Sequence, residues 1–401
     1  MDFTERFLKY VSFETTSYDD KVSPDHASDP LIYKLAEELE KELKEMGAQD
    51  VYMNKFGTIY GYFPSTNGKK PIMLNSHMDT SSQASGKDVK PRIIHDYDGK
   101  DIKLNENTVL SPHDFPTLLK EKGDDLIVTD GNTLLGADDK AGIAIILTAV
   151  DELLHSDKPH GGVECVFSTD EEIGVGASHI DVDKLKSEYG YTVDGGDSHL
   201  INIENFNAAS MKVTVHGLSI HPGSAKGKMI NALNVGIDFQ NALPRYMRPE
   251  ETEGREGFYH LLSMQGNEEK AEMYYILREH DCQKLLAMED YAKLVAKRIN
   301  ETYHKDVVDV DIRLSYKNMK EVIDQHPEIV KRITDAYDDL KIPYEYEAVR
   351  GGTDGAELTM FHNFPCPNLG TGGFNYHSRF EYLDLTQARQ MIEIVKHIIN
   401  A

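Results

Sequence analysis

"LLGADDKAG", residues 134–142, sets two carboxylates, Asp138 and Asp139, beside Lys140 where an apolar run gives way to a helix-like stretch. The continuation "DKAGIAIILTAVDELLHS" (139–156) is apolar almost all round, the pattern of a helix buried on every side. Paired acids serve turns and helix N-termini, so this pair alone requires nothing more. The rest of the chain repeats the theme. "PIMLNSHMD" (71–79) is an apolar strand running into His77 and Asp79, and "GGVECVFSTDEE" (161–172) one running into Glu171 and Glu172. "YGYTVDGGD" (189–197) delivers Asp194, and "PCPNLGTGGFNYHS" (365–378) delivers His377. In open α/β sheets ligands bind beyond the carboxyl ends of the strands. Carboxylates gathered at such an edge repel one another unless cations sit between them. A His/Asp/Glu set without thiolates suits Zn²⁺, or a neighbour such as Mn²⁺ or Co²⁺, and these residues suffice for two ions.

Composition bounds the remaining possibilities. A chain of 401 residues suggests about two domains, and 40% hydrophobic with 28% charged residues is a globular balance. A net charge of −25 argues against nucleic acid as a partner, because nucleic-acid binders present basic stripes. "MDFTERFLKY" has no apolar core and does not read as a signal peptide, and "AGIAIILTAV" is too short to span a bilayer. Cys165, Cys282 and Cys366 are odd in number and widely spaced, as expected of buried thiols in a reducing cytoplasm.

The strand and helix patterns predict an α/β fold with an interruption. A helix across "LIYKLAEELEKELKEMG" (31–47), a hairpin over "VYMNKFGTIYGYFP" (51–64) and the strands above build a mixed sheet flanked by helices. From about Ala208 the character changes. "MKVTVHGLSIHPG", the helix "INALNVGIDFQNAL", strands "FYHLLSMQG" and "EMYYILREHD", the helix "MEDYAKLVAKRINETYH" and the strand "VVDVDIRLSY" form two strand-helix units. They predict a smaller inserted α+β domain over 208–318, with 1–207 and 319–401 as the main domain. "GTGG" (370–373) lacks the lysine of a phosphate loop and reads as a tight turn.

"SHMDT", "LLGADDKAG", "STDEEIG", "TVDGG" and "NYHSRFEY" resemble, in order and spacing, the motif series of the co-catalytic zinc metallopeptidases related to aminoacylase and carboxypeptidase G. The long stretch between "HMDT" and "GADDK", and "GREGFYHL" in the inserted segment, resemble the peptidase T branch of that family, the aminotripeptidases. The resemblance implies two Zn²⁺ per subunit, with Co²⁺ or Mn²⁺ as substitutes. Asp138 would bridge them, His77 and Asp194 complete one ion, and Glu172 and His377 the other. Asp139 is left to the turn. Asp79 fits a carboxylate that orients the His77 imidazole. Glu171 would be the general base acting on a water between the metals, later passing the proton to the leaving amine. If residues 171–172 are extended, the two side chains point to opposite sides.

The resemblance also makes the inserted domain a lid or a dimerisation module, compatible with a homodimer, and gives His221 an oxyanion-stabilising role. Asn231 is a further polar contact or a plain helix residue. A tripeptidase must measure length, and carboxylate recognition calls for the planar fork of Arg. Arg278 ends "EMYYILR" and Arg350 ends "YEYEAVR", and the resemblance favours Arg278. The expected reaction is release of the N-terminal residue from unblocked tripeptides. Another amide hydrolase of the same clan, an N-acyl amino acid deacylase or a dipeptidase, is the alternative.

Overall fold

The helix that follows the paired aspartates spans Ala137–Leu154, with only Asp138, Asp151, Glu152 and Leu154 off its buried surface. The computed structural model describes residues 1–401 and explains why. This helix packs on the strands Ile72–His77 and Gly190–Gly195 on one side and on the helices Phe3–Val11 and Leu385–Asn400 on the other. A helix covered on both sides has no polar face to keep. Gly142 permits the closest approach, because a Cβ there would run into the Val193 carbonyl and Ser76 Oγ.

The main sheet has eight strands, in the order Gln49–Met53, Ile59–Phe63, Val163–Ser168, Ile72–His77, Gly190–Gly195, Asn368–Gly370, Leu200–Glu204, Glu345–Ala348. Ile72–His77 runs parallel to both Val163–Ser168 and Gly190–Gly195, and Asn368–Gly370 runs parallel to the latter. The first two strands form the antiparallel hairpin. The central strands read as continuous apolar runs because both faces are covered. A small antiparallel sheet of Arg92–Ile94, Leu126–Val128, Tyr382–Asp384 and Gly373–Phe374 occupies the long stretch after "HMDT" and the C-terminal motif. Its core is Tyr97, Ile102, Leu110, Leu118 and Tyr382.

The chain divides into two compact units. One comprises Met1–Ile203, Glu321–Glu347 and Gly352–Ala401, the other Glu204–Lys320 with Ala348–Gly351. The second is a four-stranded antiparallel sheet, ordered Phe258–Gly266, Lys270–Glu279, Asn207–His216, Val308–Tyr316, with helices Ala232–Ala242 and Cys282–Tyr303 closing its core around Met211, Val213, Phe239, Met273 and Ala292. Its edges lie a few residues outside 208–318. Ala348–Gly351 belongs with it because Val349 N donates to Glu204 O and Arg350 Nη1 donates to the carbonyls of Gly254 and Glu256. All three cysteines are free. Cys165 and Cys366 are buried, whereas Cys282 opens a helix and is only partly covered, contrary to the expectation of three buried thiols.

Candidate metal centre

His77 is the last residue of its strand and 1% exposed. Asp194 lies near the end of the neighbouring parallel strand, and Asp138 starts the buried helix. His377 sits in the loop between Gly373–Phe374 and Tyr382–Asp384 with φ at +60°, a left-handed conformation uncommon outside Gly and often found at functional sites. All of them belong to the first unit.

The two oxygens of Asp138 are divided. Oδ1 lies 2.9 Å from His77 Nε2, and Oδ2 lies 3.2 Å from His377 Nε2. Around His77 Nε2 also stand Asp194 Oδ1 at 3.4 Å and Glu171 Oε2 at 3.7 Å, while Glu172 Oε2 stands 2.9 Å from His377 Nε2. Two overlapping groups, His77–Asp138–Glu172 and His77–Glu171–Asp194, each offer donor atoms within 4.8 Å of one another. The residues fit metal ions in chemistry as well as in spacing. The donors are imidazole and carboxylate with no thiolate, and Glu172 Oε1 is buried without a hydrogen-bond partner.

Residues 171–173 form a turn of 3-10 helix, so the extended conformation that would separate Glu171 from Glu172 is not present. Asp79 sets the geometry instead. Its buried carboxylate accepts the amide of Glu171 at 3.1 Å and that of Glu172 at 3.2 Å, and it stands 3.5 Å from His77 Nδ1. Asp139 ties the helix to the strand, accepting the amides of His77 at 3.2 Å and Gly142 at 3.1 Å.

The electrostatics are those of crowded acids out of water. Burial, reinforced by Asp194, Asp354 and Asp138, pushes Glu171 well above the usual carboxylate range despite nearby His77. Burial likewise raises Glu172 and Asp194 to about 7, with Asp138 adding repulsion. Asp138 goes the other way, because the hydrogen bonds of His377 and His77 outweigh its burial. Cations between these groups would relieve the repulsion.

A family described as peptidase family M20/M25/M40 matches residues 128–401. Over 99% of its length the chain is 44% identical to peptidase T of Caldanaerobacter subterraneus subsp. tengcongensis, covering 97% of that protein. It is 45% identical to peptidase T of Clostridium acetobutylicum, covering 99% of this chain and 98% of that one. The chain belongs to peptidase family M20/M25/M40. Both of these relatives are named peptidase T. Among solved structures, aminopeptidase PepT from Bacillus cereus superposes with a TM-score of 0.78 at 21% identity, covering 99% of this chain and 97% of that one. A Staphylococcus aureus tripeptidase gives 0.76 at 20% identity, with 99% and 96% coverage, so the fold is the M20 fold.

The other candidates lie in the second unit. His221 is exposed, and its Nδ1 accepts the Gly223 amide at 3.2 Å. Asn231 caps the helix Ala232–Ala242, accepting the amides of Leu233 and Asn234. Arg278 stacks over Tyr316, with one nitrogen donating to the Leu277 carbonyl. Arg350 lies over Phe206 and Phe258, with its nitrogens donating to the carbonyls of Gly254 and Glu256 and to Thr252 Oγ1.

Three buried acids around the centre carry no candidate role from sequence. Glu381, inside "NYHSRFEY", accepts the amides of Leu135 at 2.6 Å, Gly136 at 2.9 Å and Asp138 at 3.1 Å, and so fixes the loop that presents Asp138. Asp354 of "GGTDG" receives the Ser168 hydroxyl. Asp170 accepts both the amide and the hydroxyl of Ser28. Glu381 stands inside a quoted motif, the one signal that pointed to it.

Proposed function

We propose that the chain is a metal-dependent tripeptide aminopeptidase that binds two divalent ions, zinc in the first instance, with Co²⁺ or Mn²⁺ as substitutes. The observation that carries the reading is the Asp138 carboxylate, whose separate oxygens face His77 and His377. His77 and Asp194 would hold one ion and Glu172 and His377 the other, with Asp138 between them. Ions bound there would supply Lewis acidity, polarising the scissile carbonyl and acidifying a water. Glu171, held by Asp79 through its backbone and standing beside His77, takes the proton of the attacking water and returns it to the departing amine. His221 is the proposed donor to the developing oxyanion. Arg278 is the proposed partner of the substrate carboxylate, since the nitrogens of Arg350 are spent on backbone carbonyls and Thr252. The free thiols support a cytoplasmic setting, and no helix is long and apolar enough to cross a membrane. A homodimer through the inserted unit rests on the resemblance alone.

The test is a substrate series on the metal-loaded enzyme: free di-, tri- and tetrapeptides, C-terminally amidated tripeptides, and N-acetyl amino acids. The expected result is release of the N-terminal residue from free tripeptides, with amidated tripeptides poor substrates. Preferential cleavage of N-acetyl amino acids or dipeptides would replace this reading with the deacylase or dipeptidase alternative.

A further inference from the structure

Three carboxylates converge a second time, away from the residues that would hold the catalytic ions. Glu121 closes the 3-10 helix Pro116–Glu121, Asp124 lies in the turn that follows, and Asp384 is the N-cap of the helix Leu385–Asn400. Each offers an oxygen within 4.8 Å of the other two. Oxygens that share one calcium ion at about 2.4 Å can be at most about 4.8 Å apart, so the spacing admits one ion among the three.

Hydrogen bonds from the C-terminal helix occupy one oxygen of each acid. Gln387 Nε2 donates to Glu121 Oε2 at 2.9 Å, and the Gln387 amide donates to Asp384 Oδ1 at 2.8 Å. The Thr386 hydroxyl donates to Asp124 Oδ1 at 2.6 Å. The second oxygens of the two buried acids, Glu121 Oε1 and Asp384 Oδ2, have no partner, although Glu121 is 3% and Asp384 0% exposed. Gln390 Oε1 is another buried acceptor without a partner. Glu121, Asp124 and Gln390 all line a cavity of about 410 Å³, together with Asp197, His199 and Lys120.

We propose that Glu121, Asp124 and Asp384 form a second cation site, structural rather than catalytic, for a hard divalent ion of the calcium class. The all-oxygen donor set, the net negative charge and the open cavity suit Ca²⁺, which takes six to eight oxygens in flexible geometry and fills the remainder with water. The ion pins the start of the C-terminal helix to the Pro116–Asp124 segment. Hydrogen bonds already fix one oxygen of each acid, so the donors are oriented before the ion arrives. A proton shared between Glu121 and Asp384 is the competing way to reconcile two facing carboxyls.

Calcium-45 equilibrium dialysis and thermal unfolding in a Ca²⁺ titration, both on the zinc-loaded enzyme, separate the two. The expected result is one Ca²⁺ per chain and a saturable rise in Tm, both lost in the E121Q/D384N double variant. Asn at 384 keeps the helix cap. Should the double variant not fold, Asp124→Asn alone is expected to weaken Ca²⁺ binding at least ~10-fold, since affinity follows the count of charged ligands. No Ca²⁺ uptake by the wild type, or undiminished uptake by the variants, overturns the site and leaves the shared proton.

Discussion

The carboxylate of Asp79 receives the backbone amide of Glu171 at 3.1 Å, so the acid of "SHMDT" positions the acid of "STDEEIG" across the sheet edge. The same carboxylate takes the Glu172 amide and stands beside His77 Nδ1. One buried group thereby orients a proposed base and two proposed ligands. Asp79→Asn replaces one acceptor oxygen with a donor facing an amide. Activity on a free tripeptide, or metal affinity, is expected to fall roughly 10–100-fold, the scale for groups that orient ligands. Metal analysis beside kinetics checks it, and wild-type values for both would remove the role.

Asp138 is expected to serve both ions. In Asp138→Asn one bridging charge is lost to two sites, so both ions should be held more weakly than in the wild type. Competition with a chelator, followed ion by ion, reads this directly. Retention of two tightly bound ions would disprove the bridge.

Glu381 holds the loop that carries Asp138. Glu381→Gln turns one acceptor into a donor against the amides of Leu135, Gly136 and Asp138. Unsatisfied buried groups cost about 1–3 kcal/mol, so Tm should fall and metal retention weaken together. A variant with lower Tm but unchanged metal retention would confine Glu381 to stability.

The N-terminal helix is tied down by a buried charge. Arg6 donates to Glu42 at 2.8 Å, Thr148 at 2.7 Å and Asp151 at 3.1 Å. Arg6→Ala leaves the buried Glu42 carboxylate only the Tyr10 hydroxyl at 2.7 Å and Lys9 at 3.7 Å and is expected to cost about 1.5–3 kcal/mol, read from denaturant unfolding. A loss below about 1 kcal/mol, the level of a surface pair, would contradict it.

The acids and imidazoles at the strand ends were legible because each follows its own apolar run, and the run says where the side chain emerges. Asp138 stood out for the same reason: a polar pair where a buried helix begins. The supporting acids were not legible. Glu381 stands inside "NYHSRFEY", but it and Asp354 act on partners more than a hundred residues away in the chain, so neither role shows locally. The extended reading of 171–172 failed because Asp79 gathers both amides into a tight turn, a tertiary effect that the local sequence does not encode. A change of strand-helix pattern from about Ala208 was visible in the sequence, and Glu204 opens the second compact unit. Its annexation of Ala348–Gly351 was not visible, since it depends on Arg350 reaching the carbonyls of Gly254 and Glu256.

The central claim is that Glu171 moves the proton while its neighbours hold the metal. Turnover of a free tripeptide by Glu171→Gln, with metal content measured on the same sample, tests it most directly. The account predicts full metal content with activity reduced at least ~10²-fold, the scale of a lost general base. Near-normal turnover at full metal content would contradict it.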